Sequence, residues 1–347
     1  MSEKNLPVAF FPGQGSQHVG MAKDFYDNFK LVREIFEEAS DATSLNLKKL
    51  CFDGPESDLM LTENTQPALL TASIAAFRVA ETEKGFTPAA VAGHSLGEYA
   101  ALVAAGAFPL ASAARWVRER GRAMQVAVPA GQGGMAAILG VEDSVIAELC
   151  IAAVKAAKEK RAHGAAGNGT SGTADEVTVD CVLSPANFNA PGQTVIAGSA
   201  DAVNEAIALL KAGEAFKGKA IPLSVSAPFH CALMAPARNR MAELFGLAGA
   251  GEIPRALKFP YVPNRTAKLT QEASVVFELL VEQVDHPVLW RQTGSMLITR
   301  GFERAVEFGP GKVLAGLMKR ISSAEAKTFV CTGVSDVKTL NELAAYV

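Results

Sequence analysis

The stretch Val91-Ala92-Gly93-His94-Ser95-Leu96-Gly97-Glu98-Tyr99 decides how this chain of 347 residues is read. An apolar run, Ala89 to Ala92, meets a Gly-x-Ser-x-Gly turn, and a helix-forming run from Glu98 to Ala105 follows at once. Strand, sharp turn and helix in that order hold a serine in strained backbone geometry with its hydroxyl exposed. The flanking glycines let the backbone pass close to itself. Ser95 is therefore the candidate nucleophile, set against the plainer reading of an ordinary Gly-rich strand-to-helix turn.

Upstream, the apolar run Leu6 to Phe11 has strand length and leads into Pro12-Gly13-Gln14-Gly15-Ser16-Gln17. A nucleotide-binding reading of this loop fails on spacing. Gly13 and Gly15 lack the third glycine of a dinucleotide fingerprint, and Met21 stands where a P-loop needs lysine. What is left is a loop whose backbone N–H groups face a site, or a purely structural tight turn. In hydrolase-like sheets one oxyanion donor is the residue after the nucleophile, here Leu96, and a second comes from a loop after another strand, a place Gln14 fits. Apolar spacing of three and four predicts helices over Asp27 to Ser40 and Thr65 to Lys84. Gln66, at the start of the latter, either faces the site or caps a solvated helix end.

Beyond the Ser95 helix, Pro109 opens another over about Leu110 to Val128. Arg115, Arg118 and Arg122 form its solvated stripe. Arg120 lies four residues from Trp116 and four from Met124, on the apolar side. A buried guanidinium needs an anionic partner, either a structural carboxylate or a substrate carboxylate gripped by its fork.

From Gly134 the rhythm changes. Strands are expected at Met135 to Gly140, Val179 to Leu183, Thr194 to Gly198 and Lys219 to Val225, with helices over Asp143 to Lys160 and Asp201 to Ala212. The order βαββαβ is that of a ferredoxin-like unit. Arg161 to Asp175, rich in Gly, Ser, Thr and Ala, reads as a surface loop, with His163 solvent-exposed inside it. The fold class is then α/β: a hydrolase-like parallel-sheet domain over 1–133 and 227–347, with a ferredoxin-like small domain inserted over 134–226.

A general base for Ser95 must come from five histidines. His18 follows the Gly-rich loop closely, His94 faces the wrong way within the elbow, and His286 precedes Pro287. His230 follows a strand and opens a helix where the chain returns to the larger domain, which makes it the candidate base. No acidic residue stands out as a third member; a backbone carbonyl is one group able to orient the imidazole instead.

Composition narrows the partners. The chain is 49% hydrophobic and 20% charged, with a net charge of -3, which argues against nucleic acid as the main partner. Its most apolar stretch, Tyr99 to Ala114, is broken by Pro109 and falls short of the roughly 20 residues of a membrane span. No charged-then-apolar leader precedes Leu6, and Cys51, Cys150, Cys181, Cys231 and Cys331 are scattered without a C-x-x-C pair. These features predict reduced thiols in a cytoplasmic protein, with no metal cluster.

Six motifs occur together and in order: Phe11-Pro12-Gly13-Gln14-Gly15-Ser16-Gln17, Gly93-His94-Ser95-Leu96-Gly97-Glu98-Tyr99, Arg120, Ala186-Asn187-Phe188-Asn189-Ala190-Pro191-Gly192-Gln193, His230, and Glu307-Phe308-Gly309-Pro310-Gly311-Lys312. Over nearly its whole length the chain resembles the malonyl-CoA:acyl-carrier-protein transacylases of bacterial fatty-acid synthesis. The resemblance implies that Ser95 is acylated by malonyl-CoA, with His230 as its base and Gln14 and Leu96 as backbone oxyanion donors. It implies that Arg120 clamps the malonyl carboxylate, and that the Asn264 carbonyl holds His230; Gln66, where it faces the site, is the further substrate-binding candidate. It further implies the phosphopantetheine thiol of acyl carrier protein as acceptor; a monomer with no permanently bound cofactor is expected. Two other readings compete: a serine hydrolase such as a thioesterase, which has no need of Arg120, and a non-catalytic carrier-binding module, against which Ser95 and His230 argue.

Overall fold

The structure is a computed structural model that describes residues 6–167, 179–225 and 227–343. Strand β1 (Val8–Phe11) is buried at every position and leads through the Gly-rich loop to α1 (Lys23–Asn28), α2 (Lys30–Thr43), α3 (Leu47–Phe52) and α4 (Glu56–Leu59). Helix α2 turns Val32, Ile35, Phe36 and Ala39 inward, the three-and-four spacing of a surface helix. The long α5 (Thr62–Lys84) is buried almost all round and so lies in the interior. It starts three residues before the expected Thr65, which puts Pro67 in its second turn rather than its first.

Strand β2 (Ala90–Gly93) then enters the elbow, and α6 (Leu96–Ala104) leaves it, every residue buried. After Pro109 comes α7 (Leu110–Val126). A second sheet follows from β3 (Gly133–Leu139), α8 (Asp143–Gly167), β4 (Leu183–Ala190), β5 (Gln193–Ser199), α9 (Ala200–Ala212) and β6 (Lys219–Pro222). The chain closes with α10 (Ala235–Gly246), β7 (Tyr261–Val262), α11 (Val276–Gln283), α12 (Trp290–Thr299), β8 (Arg304–Phe308), α13 (Val313–Ala324), β9 (Val330–Val334) and α14 (Val337–Glu342).

The first sheet has the order β7-β2-β1-β8-β9, with every pair parallel. Alternation along β1 feeds two apolar layers: Ala9 and Phe11 pack with Phe77, Val91 and Phe308 on one face, Val8 and Phe10 with Ala92 and Trp290 on the other. Burial on both faces is what a parallel sheet flanked by helices requires. Strand order reverses at β1, and in open α/β sheets the crevice beyond the carboxyl ends at such a reversal is where ligands bind. Phe11 stands opposite Gly93 in register, so the Gly-rich loop and the serine elbow emerge side by side.

The second sheet is antiparallel throughout, in the order β4-β5-β3-β6, which is the ferredoxin-like arrangement. Two expectations need correction. The second strand of this unit is not Val179 to Leu183 but Leu183–Ala190, and it absorbs the Ala186-Asn187-Phe188-Asn189 motif. Pro185 and two asparagines speak against a strand, but β4 lies at the edge of its sheet and breaks register at Pro185/Asn187 and Phe188/Ala190, where bulges accommodate them. The Arg161 to Asp175 loop is also shorter than expected, because α8 continues to Gly167. Arg161 is tied to Asp201 through Nε (2.5 Å) and Nη2 (3.0 Å) and to the Val179 carbonyl, and Ala162 favours continuation of the helix. The remainder of that loop lies outside the described residues. His163 is exposed, with Nδ1 donating to the Glu159 carbonyl.

Candidate active site

Ser95 sits between β2 and α6 with φ 52° and ψ -108°, a conformation costly for any residue but glycine. Packing enforces it. A Cβ on Gly93 would lie 1.9 Å from the Gly97 carbonyl oxygen, and one on Gly97 would lie 2.0 Å from that of Phe11. The elbow is thus pressed against the end of β1, with Gly13 packed against the His94 carbonyl. Leu96, the first residue of α6, has no carbonyl within its helix for its N–H to bond. Gln14 lies half-buried in the adjoining loop, its side chain donating to Thr62 at 3.3 Å.

His230 is the histidine that the fold delivers to Ser95, with Nε2 2.8 Å from Oγ. It is buried and also has positive φ, 60°. Its Nδ1 faces the main-chain carbonyl of Gln283 at 2.8 Å, so Nδ1 carries the proton and Nε2 presents a lone pair to the serine. Burial, reinforced by the Arg120 charge, lowers the His230 pKa to about 3, and the imidazole is neutral at physiological pH. A backbone carbonyl holds the His230 imidazole, but it is not that of Asn264. The Asn264 carbonyl accepts from the Leu289 N–H, because Asn264 follows β7 beneath the elbow instead of beside His230. Its side chain braces Ser95: Oδ1 accepts from the Ser95 N–H and Nδ2 donates to the Gly93 carbonyl, both at 2.6 Å.

Arg120 reaches the same point from α7. It is 1% exposed, and Nη2 lies 3.1 Å from Ser95 Oγ. Nη1 donates to Gln66 Oε1 at 2.9 Å and Nη2 to Gln283 Oε1 at 2.8 Å, while buried Nε has no partner. Gln66 thus faces the site and steadies the guanidinium. Among the described residues no carboxylate pairs directly with Arg120, although Glu98 exerts a Coulombic pull on it. Its helix neighbours behave as a solvated stripe: Arg115 pairs with Glu252 and Arg122 with Glu63 and Glu119, while Arg118 donates to the Thr43 carbonyl. His18 is exposed, and His286 bonds to Glu282 and Asp285.

Two residues with no role in the sequence reading tie the site together. Gln283 contacts the His230 imidazole through its carbonyl, Arg120 through Oε1, and the Ser95 carbonyl through Nε2 at 2.9 Å. Glu98 lies buried in α6 and accepts from Gln283 Nε2 at 2.7 Å and the Asn264 N–H at 3.0 Å. Each carries a faint signal. Glu98 is the acid in an otherwise apolar or small helix, and Gln283 occupies the inward stripe that holds Val276 and Leu280. The two outer motifs support the frame. Asn189 Oδ1 lies 2.9 Å from His94 Nε2, joining the β4–β5 hairpin to the elbow, and Glu307 accepts from the Leu314 and Ala315 N–H groups at the start of α13.

The chain is similar to known proteins over most of its length. Residues 8–181 match the acyl transferase domain family. The malonyl CoA-acyl carrier protein transacylase of Salmonella typhimurium is 45% identical over 312 residues, 90% of this chain and 91% of that protein. The crystal structure of an acyl carrier protein S-malonyltransferase from Vibrio cholerae superposes with a TM-score of 0.83 at 40% identity, covering 97% of this chain and 99% of the other. A malonyl-transacylase solved in complex with a holo type II PKS acyl-carrier protein has a TM-score of 0.82 at 38% identity and 98% coverage of both chains. Shared sequence and shared backbone run the length of the molecule together, and the chain belongs to the malonyl CoA-acyl carrier protein transacylase family.

Proposed function

We propose that this protein moves a malonyl group from malonyl-CoA to the phosphopantetheine thiol of acyl carrier protein, through a malonyl ester of Ser95. The observation that carries the proposal is Arg120: a buried guanidinium, 3.1 Å from the nucleophile, with no directly paired carboxylate among the described residues. Its unpartnered Nε and its Nη2 are the two donors of one guanidinium edge, the edge that grips a carboxylate bidentately.

In the first half-reaction Nε2 of His230 takes the Ser95 proton as Oγ attacks the thioester carbonyl. The Leu96 and Gln14 amides hold the oxyanion, each such donor typically worth roughly 3 kcal/mol. The C–S bond breaks, coenzyme A leaves with the proton from His230, and malonyl-Ser95 remains. The carrier thiol then gives its proton to His230 and attacks the ester, which returns Ser95 to its starting state. Arg120 adds a second selectivity. It depresses the basicity of His230, and a malonyl carboxylate that neutralises it strengthens the base as the correct substrate arrives.

The chemistry calls for no resident cofactor. Acyl carrier protein and a coenzyme A thioester are the proposed partners of a cytoplasmic monomer, in which 134–226 is an inserted small domain and 1–133 with 227–347 the large one. Intact-mass measurement after mixing with malonyl-CoA or acetyl-CoA separately tests the proposal. A malonyl adduct that disappears on addition of carrier protein bearing a free thiol supports it. Release of the adduct as free malonate at the same rate without carrier refutes it in favour of a hydrolase.

A further inference from the structure

The acyl transfer just described makes no use of the proton chemistry of Glu98, a buried acid held against the site. Glu98 Oε2 accepts from Gln283 Nε2 at 2.7 Å, and Gln283 Oε1 accepts from Arg120 Nη2 at 2.8 Å. One amide therefore connects the buried acid to the buried guanidinium. Oε1 of Glu98 is buried and has no partner. We propose that Glu98 is the counter-charge of Arg120 in the empty site, and that Oε1 takes up a proton from solvent when a malonyl carboxylate occupies the guanidinium edge. The inference rests on the malonyl-transfer reading.

The reasoning is charge balance in a dry site. Empty, the site holds one cation and one anion, linked through Gln283. A substrate carboxylate adds a second anion to the same cation, and two carboxylates that share a site do not both stay ionised at no cost. Of the two, Glu98 gives way more readily. Burial has already raised its pKa to about 7, whereas a malonyl carboxylate ordinarily titrates far lower and gains direct contact with Arg120. Protonation at Oε1 leaves both bonds to Oε2 in place, so the Gln283 and Asn264 supports of Ser95 survive the change.

The other groups around Glu98 do not compete for that proton near neutrality. Arg120 of α7 stays charged. His230, across Gln283, titrates near pH 3. The phenols of Tyr99 on α6 and Tyr261 on β7 are both pushed up by burial and stay protonated. Strands β1 and β2 bring only apolar or small side chains, and the buried face of α5 brings no acid or base.

The test measures protons directly. The Ser95→Ala protein, which binds a thioester without being acylated, is titrated with malonyl-CoA and with acetyl-CoA at pH 7.5, calorimetrically, in buffers of different ionisation enthalpy. The coenzyme A moiety is common to both ligands and cancels. If the carboxylate raises the Glu98 pKa by one unit from about 7, malonyl-CoA takes up about half a proton more than acetyl-CoA. With Ser95→Ala/Glu98→Gln, the malonyl excess is expected to vanish while binding persists. In the otherwise unaltered enzyme, the KM for malonyl-CoA should rise several-fold from pH 6.5 to 8.5 and that rise should flatten in Glu98→Gln, a change no merely structural role predicts. Equal proton uptake for the two thioesters overturns the inference, as does an excess that survives Glu98→Gln. If Glu98→Gln fails to fold, the malonyl-minus-acetyl comparison in Ser95→Ala decides alone. Failure of malonyl-CoA to bind Ser95→Ala or to label the wild-type serine is a different result: it refutes the malonyl-transfer reading itself.

Discussion

Replacing Arg120 by alanine separates a malonyl transferase from a general esterase. The side chain makes three hydrogen bonds in the empty site, to Gln66, Gln283 and Ser95. Truncation leaves two buried amide oxygens short of a donor, and that loss falls equally on every substrate. What falls on malonyl alone is the fork formed by Nε and Nη2. Hydrogen bonds to a charged group contribute about 1.5–3 kcal/mol each, so two are worth about 3 kcal/mol at the low end, or roughly a hundredfold. Acetyl transfer has the opposite tendency, because removing the Arg120 charge relieves the depression of His230. The expected outcome is a kcat/KM ratio of malonyl-CoA to acetyl-CoA that falls by about two orders of magnitude, with acetyl transfer held or increased. Competition between the two thioesters, read as the masses of the two acyl-enzymes, measures that ratio without reference to how much protein is active. An unchanged ratio with both rates reduced would mean that Arg120 is a structural brace and that the carboxylate is recognised elsewhere.

The remaining predictions are more local. Ser95→Ala should give no acyl adduct, and His230→Ala should slow acylation by about a hundredfold or more; stopped-flow or quenched mass measurements distinguish the two. Because the folded His230 is held far below its ordinary pKa, the base stays free as pH falls. The acetyl-CoA kcat/KM of Glu98→Gln, in which the neighbouring acid no longer titrates, should therefore remain flat through pH 6.5, and an apparent pKa of 6 to 7 in that profile would show the base is not buried as found. Gly97→Ala should lose about 3 kcal/mol of stability, read as a drop in Tm, because its Cβ meets backbone and not a side chain that can turn aside.

Much of this site was legible because its parts are local. Gly93, Ser95 and Gly97 carry their own geometry: the glycines are needed wherever the chain crosses itself within 2 Å of a Cβ position, and that requirement is written in five consecutive residues. Arg120 was legible as a contradiction, a charge on the apolar side of an otherwise regular helix. The ferredoxin-like order was legible from the alternation of runs, but the limits of β4 and α8 were not. Edge position and bulges admit Pro185 and the asparagines to a strand, and the Asp201 partner extends a helix through a stretch whose composition suggests a loop.

The partner of His230 shows where sequence reasoning stops and why. That a carbonyl can hold an imidazole with no acid nearby follows from its chemistry; which carbonyl does so depends on the close of α11, where the main chain of Gln283 is directed at Nδ1. No pattern of side chains encodes the direction of a main-chain oxygen. The same helix end also places the Gln283 side chain between Arg120 and Glu98, 163 and 185 residues distant in sequence. A single residue therefore sets the tautomer of the His230 imidazole and connects the Arg120 guanidinium to the buried Glu98 carboxylate. Gln283→Glu should uncouple these two tasks. The backbone bond to His230 persists, so acetyl transfer should lose less than malonyl transfer, whose guanidinium would then face a fixed carboxylate in competition with the substrate. An equal loss for both substrates would locate the effect at the base instead of the clamp.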